Sequence, residues 1–485
     1  MKTEILLLKK ITKERAGNKV LSNFSLEILS GEIINLIGLD GAGKKDIYSI
    51  LFGEESADSG EIWFSGKHYG QEKKLPVEKV NGIFFIANNE LIIPDLSVAE
   101  NLYIIEKINY LQFSVSKRKM ENQAQRLFEE FGVEIDPRKK AKLLTRYECC
   151  ILRLMRAYVK RAKLIVIDDI IDDWLFEKND QLIEILNCFK EEGISILWMN
   201  SYPDAITEIA NKVSVIRKGR NSLSFYKNDY DRQKLMKILT GKENFDVVEK
   251  TGTPTEERAF SVCHISNEYF EDLSFHCNKG EILGIYDLQN IFSRELRKIL
   301  LGKRFYYGKL FVGKKELKAN AEYKLARNRI GVIDGDSYQS LIFDELSIQE
   351  NVEIVGYKKL AKFRCFIRKR AKKYLERLSD EICENNQIPK ETKELSRRDA
   401  MQVVYHRWNL INPYVLFCFQ PFLRLDAISR KQLAEILQRF SLKKTGIVLS
   451  SANMSELIPL CDRILVIENN YLMKEIKREQ FGEYV

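Results

Sequence analysis

Residues 38–45 read Gly38-Leu39-Asp40-Gly41-Ala42-Gly43-Lys44-Lys45. Glycines at this spacing let successive backbone N–H groups turn inward, and a lysine at the end of the run reaches an anion held there. The chemistry is that of a phosphate cradle. An apolar run, residues 33–37, precedes the loop, and a helix-like stretch, residues 46–52, follows it. A helix N-terminus adds partial positive charge to such a cradle, and Lys44 is placed to meet the outer phosphates of a nucleotide. No other cluster is as pointed. The four histidines are scattered, and the nine cysteines are odd in number and lack CxxC spacing, which reads as reduced, packed thiols.

The elements that must position this loop recur along the chain. GEIINLIGLD at residues 31–40 returns as GEILGIYDLQ at 280–289. SVAEN at 97–101 returns as SIQEN at 347–351, and KVSVIRKG at 212–219 as RILVIENN at 463–470. A period of roughly 250 residues is too long for a solenoid and indicates a duplicated domain. Short apolar runs at 33–37, 164–167, 194–199 and 213–216 read as buried strands; charged stretches at 117–131 and 153–161 read as helices. The fold class is α/β, a mostly parallel sheet covered by helices, with one domain at 1–240, a polar linker at 241–257 and a second domain at 258–485.

The composition is that of a globular chain, 45% hydrophobic and 30% charged. Its net charge of +9 over 485 residues is too mild to indicate a nucleic-acid binder. No apolar run approaches the ~18 residues of a membrane span. The first residues, MKTEILLLKKITKERAG, lack a small-residue cleavage site, so no signal peptide is expected. Residues 358–377 (KKLAKFRCFIRKRAKKYLER) are strongly basic; Leu360, Phe363, Phe366, Ile367, Ala371 and Tyr374 fall at helical spacing and predict an amphipathic arm helix. Ser97 with Glu100, and Ser347 with Glu350, fit the S-x-x-E capping box.

The 38–44 loop, with residues 91–104 (LIIPDLSVAENLYI), 164–169 (LIVIDD), 278–284 (NKGEILG), 345–352 (ELSIQENV) and 394–408 (ELSRRDAMQVVYHRW), resembles the tandem ATP-binding subunit of bacterial ABC importers for monosaccharides of the ribose/galactose/xylose type, over nearly the whole chain. The resemblance implies two ABC-type nucleotide-binding domains of P-loop NTPase fold, each a core sheet with a helical arm. It implies ATP held between the phosphate loop of one half and the signature loop of the other.

Departures from that pattern bear on chemistry. The resemblance places the Mg²⁺-binding hydroxyl at Lys45, next to Asp46. It places the metal-linked glutamine at Asn88, the metal-linked aspartate at Asp168, the catalytic glutamate at Asp169, the switch histidine at Ser201 and the adenine-stacking aromatic residue near Arg15. An ammonium at Lys45 replaces an oxygen ligand with a repulsive neighbour. A base one methylene short is set back from the reacting water. In the second half the phosphate-loop segment reads Asp287-Leu-Gln-Asn290-Ile-Phe-Ser293-Arg294, without glycine or lysine, so bulky side chains are expected to fill it. Phe419-Gln420 stands where an Asp-Glu pair is implied. The signature loops read Leu144-Thr-Arg-Tyr147-Glu and Leu395-Ser396-Arg397-Arg398-Asp. Ser396 is kept, while Arg397 and Arg398 stand for two glycines, able to pair with phosphate, to hold the two halves apart, or to remain solvated.

The resemblance implies ATP as the cofactor, bound weakly in the N-terminal half, with Mg²⁺ available. It implies permease subunits as partners and, through them, a sugar-binding protein, at the inner face of the cell membrane on the cytoplasmic side. Two functional readings stay open. One is an ATPase subunit energising sugar uptake; the other is a non-hydrolysing pseudo-ATPase that regulates or scaffolds a permease or an intact ATPase paralogue. A soluble tandem ATPase acting on ribosomes or nucleic acid fits poorly, because the linker is short and not basic.

Overall fold

β1 (Glu4–Arg15) and β2 (Asn18–Leu29) form a long antiparallel hairpin in which Arg15 lies opposite Asn18. Gly17, at φ 80°, makes the turn without the Cβ clash that other residues meet there. Phe24, Leu26 and Ile28 alternate inward along β2, as expected of a strand with one buried face. β3 (Ile33–Ile37) is buried at every position. It runs into the loop and then α1 (Lys44–Phe52), β4 (Ser59–Phe64), β5 (Lys67–Tyr69) and β6 (Ile83–Ile86). The unit continues with α2 (Val98–Tyr103), α3 (Lys117–Glu130), α4 (Arg146–Val159), β7 (Leu164–Asp168), α5 (Asp180–Glu191) and β8 (Ser195–Asn200). It ends with α6 (Ala205–Ile209), β9 (Lys212–Arg217), β10 (Arg220–Tyr226) and α7 (Arg232–Thr240). The structure, a computed structural model, describes residues 3–15, 17–69, 82–86, 92–103, 116–168, 180–203, 205–241, 250–288, 290–317, 325, 328–354, 361–362, 366–367, 395–468 and 471–483.

The strands make two sheets. One is antiparallel, in the order β2-β1-β4-β5; the other runs β10-β9-β3-β8-β7-β6, parallel except for the β9–β10 pair. Leu6, Leu8, Phe24 and Leu26 from the first pack with Leu36, Leu197 and Met199 from the second in a single core. A fully buried Leu or Ile contributes about 1.5–3 kcal/mol, so β3 is held by burial far more than by its ladder.

The second unit repeats the element order with β11 (Arg258–Ser266), β12 (Leu273–Asn278), β13 (Ile282–Asp287), α8 (Ile291–Leu300), β14 (Tyr307–Val312), β15 (Lys315–Leu317) and β16 (Ile330–Asp334). Then come α9 (Ile348–Glu353), β17 (Ala361–Lys362), β18 (Phe366–Ile367), α10 (Arg397–Ile411), β19 (Val415–Phe419), α11 (Ala427–Leu442), β20 (Gly446–Ser451), α12 (Met454–Leu457), β21 (Arg463–Glu468) and β22 (Tyr471–Lys477). Its sheets run β12-β11-β14-β15 and β16-β19-β20-β13-β21-β22, the same neighbours as in the first unit. The compact units are Met1–Phe245 and Asp246–Val485. Residues 250–257 are tied to the second: Thr255 N donates to Lys279 O at 2.9 Å, and the Lys250 ammonium meets Asp462 and the Gly280 carbonyl.

The arm helix expected over 358–377 is not what its described residues form. Most of that segment lies outside the described residues, but β17 and β18 pair antiparallel, Ala361 opposite Ile367 and Lys362 opposite Phe366. Phe366 and Ile367 favour extended backbone, and apolar spacing alone does not outweigh that preference here.

The SVAEN and SIQEN matches have a local cause. Ser97 and Glu100 exchange backbone-to-side-chain hydrogen bonds of 2.7 and 3.2 Å, and Ser347 with Glu350 does the same at 2.8 and 3.2 Å. These bonds hold both glutamates below the usual carboxylate range. The buried Asn101 accepts from Ile93 N and donates to the carbonyls of Ile93, Leu96 and Ser97; Asn351 accepts from Phe343 N and donates to Phe343, Leu346 and Ser347. Each asparagine thus ties down the loop before its helix. Truncating one leaves several backbone groups unpaired at about 1–3 kcal/mol each, whereas losing a serine cap costs about 1 kcal/mol. Asn351→Ala should therefore lower the urea midpoint of the second unit at least twice as much as Ser347→Ala. Asn101→Ala should shift the first unit's transition instead, read by fluorescence of the whole chain.

Candidate functional site

In the first unit the loop leaves β3 at Gly38, whose N–H donates to Asn200 O of β8 at 3.2 Å. A Cβ at Gly38 would lie 2.7 Å from the Ile216 carbonyl oxygen, and one at Gly43 would lie 2.9 Å from Val20 O. Gly41 and Gly43 adopt φ of 76° and 109°, and Gly43 is the residue at the N-terminus of α1. The glycines are therefore required by close backbone approach and by left-handed conformation. The turn leaves the first N–H groups of α1 without intrahelical partners, which is the donor set an anion needs.

The structure brings Lys44, Ser201 and Asp40 together. Lys44 is 6% exposed; its ammonium donates to Ser201 Oγ at 2.6 Å and to the Gly38 carbonyl. Ser201 lies 3.5 Å from Asp40 Oδ1. Beneath the loop, Asn35 is a polar residue inside β3. An unpaired buried amide costs about 1–3 kcal/mol. Asn35 avoids this by donating to Trp198 O and Asn200 Oδ1 and accepting from Thr207 Oγ1 at 3.1 Å. Asn200 Nδ2, buried at the same strand end, has no protein partner.

Arg15, expected beside the adenine, is a half-exposed guanidinium that pairs with Asp46 at 3.2 Å and Glu55 at 2.5 Å. Asp46 sits in the first turn of α1, where burial raises its pKa and Arg15 opposes the rise. Lys45 is exposed, Ala42 is buried against the loop, and Asp168 is half-buried at the end of β7. Asn88 and Asp169 lie outside the described residues. No three His, Cys, Asp or Glu converge among the described residues. Asp168, at the end of β7, is the described carboxylate that the resemblance implies for Mg²⁺, an ion that takes its remaining oxygens from water and phosphate.

The second unit differs from expectation in an informative way. Phe292, expected among the bulky side chains filling this unit's loop, instead turns into the core against Phe270. The turn forms without glycine: Asn290 takes φ 54° and its N–H donates to Asp287 O at 3.1 Å. The Asp287 carboxylate, 3% exposed, accepts from Ser293 N at 2.7 Å. Burial raises its pKa, while bonds from Ser293, Asn290 and Ile291 hold it down. A side-chain carboxylate therefore meets the donors that phosphate would otherwise meet. One turn further, the fully buried Glu295 pairs with Lys298 at 2.7 Å and Arg304 at 2.9 Å, at the place Asp46 holds in α1. Gln420, at the end of β19, is buried with φ 46° and donates its N–H to Ser450 O at 2.9 Å.

Neither signature loop is a bare phosphate donor. Thr145 caps α4 in a reciprocal box with Glu148, which also pairs with Lys139 at 2.7 Å. Ser396 caps α10 through Asp399 N. Arg397 donates to Gly335 O at 2.5 Å and lies 5.7 Å from the Tyr338 ring; Arg398 donates to Gln432 at 2.9 Å. Both guanidiniums thus have partners in their own unit, so they are not simply solvated. The roles of Asp287 and Glu295 went unread in the sequence. Asp287→Ala should destabilise the second unit by about 1–3 kcal/mol through unpaired N–H groups, and Asp287→Asn, which keeps an acceptor, by less than half of that. Urea unfolding of the two variants against the native chain checks this.

Known proteins resemble the chain along nearly its whole length. The ABC transporter family model matches residues 21–172, within the unit that carries the glycine loop. A putative ribose/galactose/methyl galactoside import ATP-binding protein of Halalkalibacterium halodurans is 27% identical over 482 residues, 98% of this chain and 91% of that protein. A ribose import ATP-binding protein of Clostridium perfringens is 25% identical over 489 residues, 99% and 97% of the two chains. A crystal structure of the ADP conformation of an ATP-binding cassette of an ABC transporter aligns with 50% of this chain and 100% of its own, at 20% identity and TM-score 0.42. With the family model on its phosphate loop and relatives aligned through both units, the chain is similar to ABC-type ATP-binding proteins along nearly its whole length.

Proposed function

We propose that the chain is the nucleotide-binding subunit of a carbohydrate import complex, binding one ATP per chain in its first unit and hydrolysing it slowly or not at all. The observation that carries this is the contrast between the two loops. The first has glycines at forced positions, open helix N–H groups and Lys44; the second has the Asp287 carboxylate bonded to its helix and Ser293 at the place of Lys44. An internal carboxylate competes with phosphate by occupancy and by charge, so the second loop is closed to nucleotide.

Slow hydrolysis follows from the transition state. Charge on the transferred phosphoryl group must be met by preorganised donors, and losing one costs about 10²–10³-fold. Lys45 stands exposed where a metal-binding hydroxyl is implied, and Ser201 where a histidine is implied. Asn88 and Asp169 shorten the implied glutamine and glutamate. The bound ATP would bring Mg²⁺, which neutralises phosphate charge and orients the outer phosphates.

The relatives are named for import, and this supports permease partners and a peripheral place on the inner face of the membrane. No helix among the described residues is long and apolar enough to cross a membrane. The capping boxes and asparagine clamps explain SVAEN and SIQEN within each unit, so the partner reading rests on the relatives and not on those motifs.

Calorimetry should give one nucleotide per chain, with Lys44→Ala weakening ATP about 10–100-fold, because a charge-assisted contact is lost. Two sites, or unchanged affinity in Lys44→Ala, would overturn the reading. Phosphate release at saturating MgATP should stay near background, with Lys44→Ala as the contamination control; turnover near one per second that vanishes in the variant would restore a working ATPase.

A further inference from the structure

Lys44 is buried and its ammonium is held by the protein itself. Its ammonium is turned back onto Ser201 Oγ, 2.6 Å away, and onto the carbonyl of Gly38. A buried ammonium needs acceptors for its N–H groups, and these two oxygens supply them from opposite sides of the loop. Ser201 follows β8 directly and is 2% exposed, so the hydroxyl is fixed by the end of a central strand.

A related contact exists where no cation needs holding. Ser293 takes the place of Lys44 in α8, and its hydroxyl lies 2.5 Å from that of Ser450, which lies within β20. The two serines hold different positions: Ser450 pairs with Ile285 within its strand, whereas Ser201 lies just past the end of β8, two positions further along. In the first unit it is this later hydroxyl that meets the ammonium.

We propose that Ser201 is a positioning residue that latches Lys44 inward in the empty site, so that nucleotide phosphates compete with Ser201 and Gly38 for the ammonium. This rests on the reading that nucleotide binds at residues 38–44. The latch sets affinity for the phosphates and leaves the rest of the nucleotide untouched. It gives Ser201 a role in the empty protein, beyond being a lost histidine.

Two measurements test this, and they separate the latch from the nucleotide reading. The first is acylation of Lys44 in the nucleotide-free full chain by acetic anhydride, quantified by peptide mass spectrometry with exposed Lys45 as the internal reference. Ser201→Ala should raise Lys44 labelling about threefold or more relative to Lys45, and Ser201→Thr, which keeps the hydroxyl, should leave it near native; equal labelling in Ser201→Ala overturns the latch whether or not nucleotide binds. The second is calorimetric titration with ATP, ADP and adenosine. Ser201→Ala should tighten ATP and ADP about five- to tenfold, the size of one hydrogen bond to a charged group, and leave adenosine unchanged. Unchanged or weaker ATP binding, or an equal change for adenosine, overturns it. If the native chain binds no ATP, the nucleotide reading fails, and the labelling result alone decides the latch.

Discussion

A helix that begins where a buried parallel strand ends presents N–H groups with no partner in its own backbone, and both units are organised by how that demand is met. β3 and β13 are buried at every position, so their ends cannot rely on solvent. In the first unit the glycines at Gly38 and Gly43 keep the turn open, and the nearby cation is satisfied separately, by Ser201 and a loop carbonyl. In the second unit Asp287 supplies the acceptor from the last position of the strand itself. At the residue where the strand stops, one unit has Gly38 and the other has the Asp287 carboxylate turned onto its own helix.

The buried acids next to these loops follow the same logic. Asp46 sits in the first turn of α1, where negative charge is favoured by the helix and penalised by burial, and Glu295 is fully buried at the corresponding position one turn into α8. Each is answered by an arginine, Arg15 for Asp46 and Arg304 for Glu295. The loop of each unit is thus neutralised by the chain itself. For Asp46 the burial cost still dominates, and its pKa rises despite Arg15.

Other repeated features serve folding. The Ser–Glu caps and the asparagine clamps at Asn101 and Asn351 hold irregular loops through side-chain bonds to backbone, which nothing in a helix or sheet ladder could do. Arg407 adds to this in the second unit, donating to the Asn351 and Leu341 carbonyls at 2.8 and 3.0 Å. Such motifs persist for local reasons, so their presence says less about partners than their spacing suggests.

By itself the sequence determined the α/β class, the repeat of one unit along the chain, the strand–loop–helix at Gly38–Lys44 and the capping boxes. Each of these depends on neighbours in the chain: apolar runs, glycine spacing, a serine three residues before a glutamate. Tertiary structure alone decided where charged side chains go. It turned Lys44 onto Ser201, Arg15 onto Asp46, Arg397 onto Gly335, and Asp287 back into its own loop, and it paired β17 with β18 where spacing predicted a helix. The physical reason is that a polar side chain near a buried strand end takes whichever acceptor or donor the fold brings within about 3 Å, and for Lys44–Ser201, Arg15–Asp46 and Arg397–Gly335 that partner stands tens to hundreds of residues away in the chain.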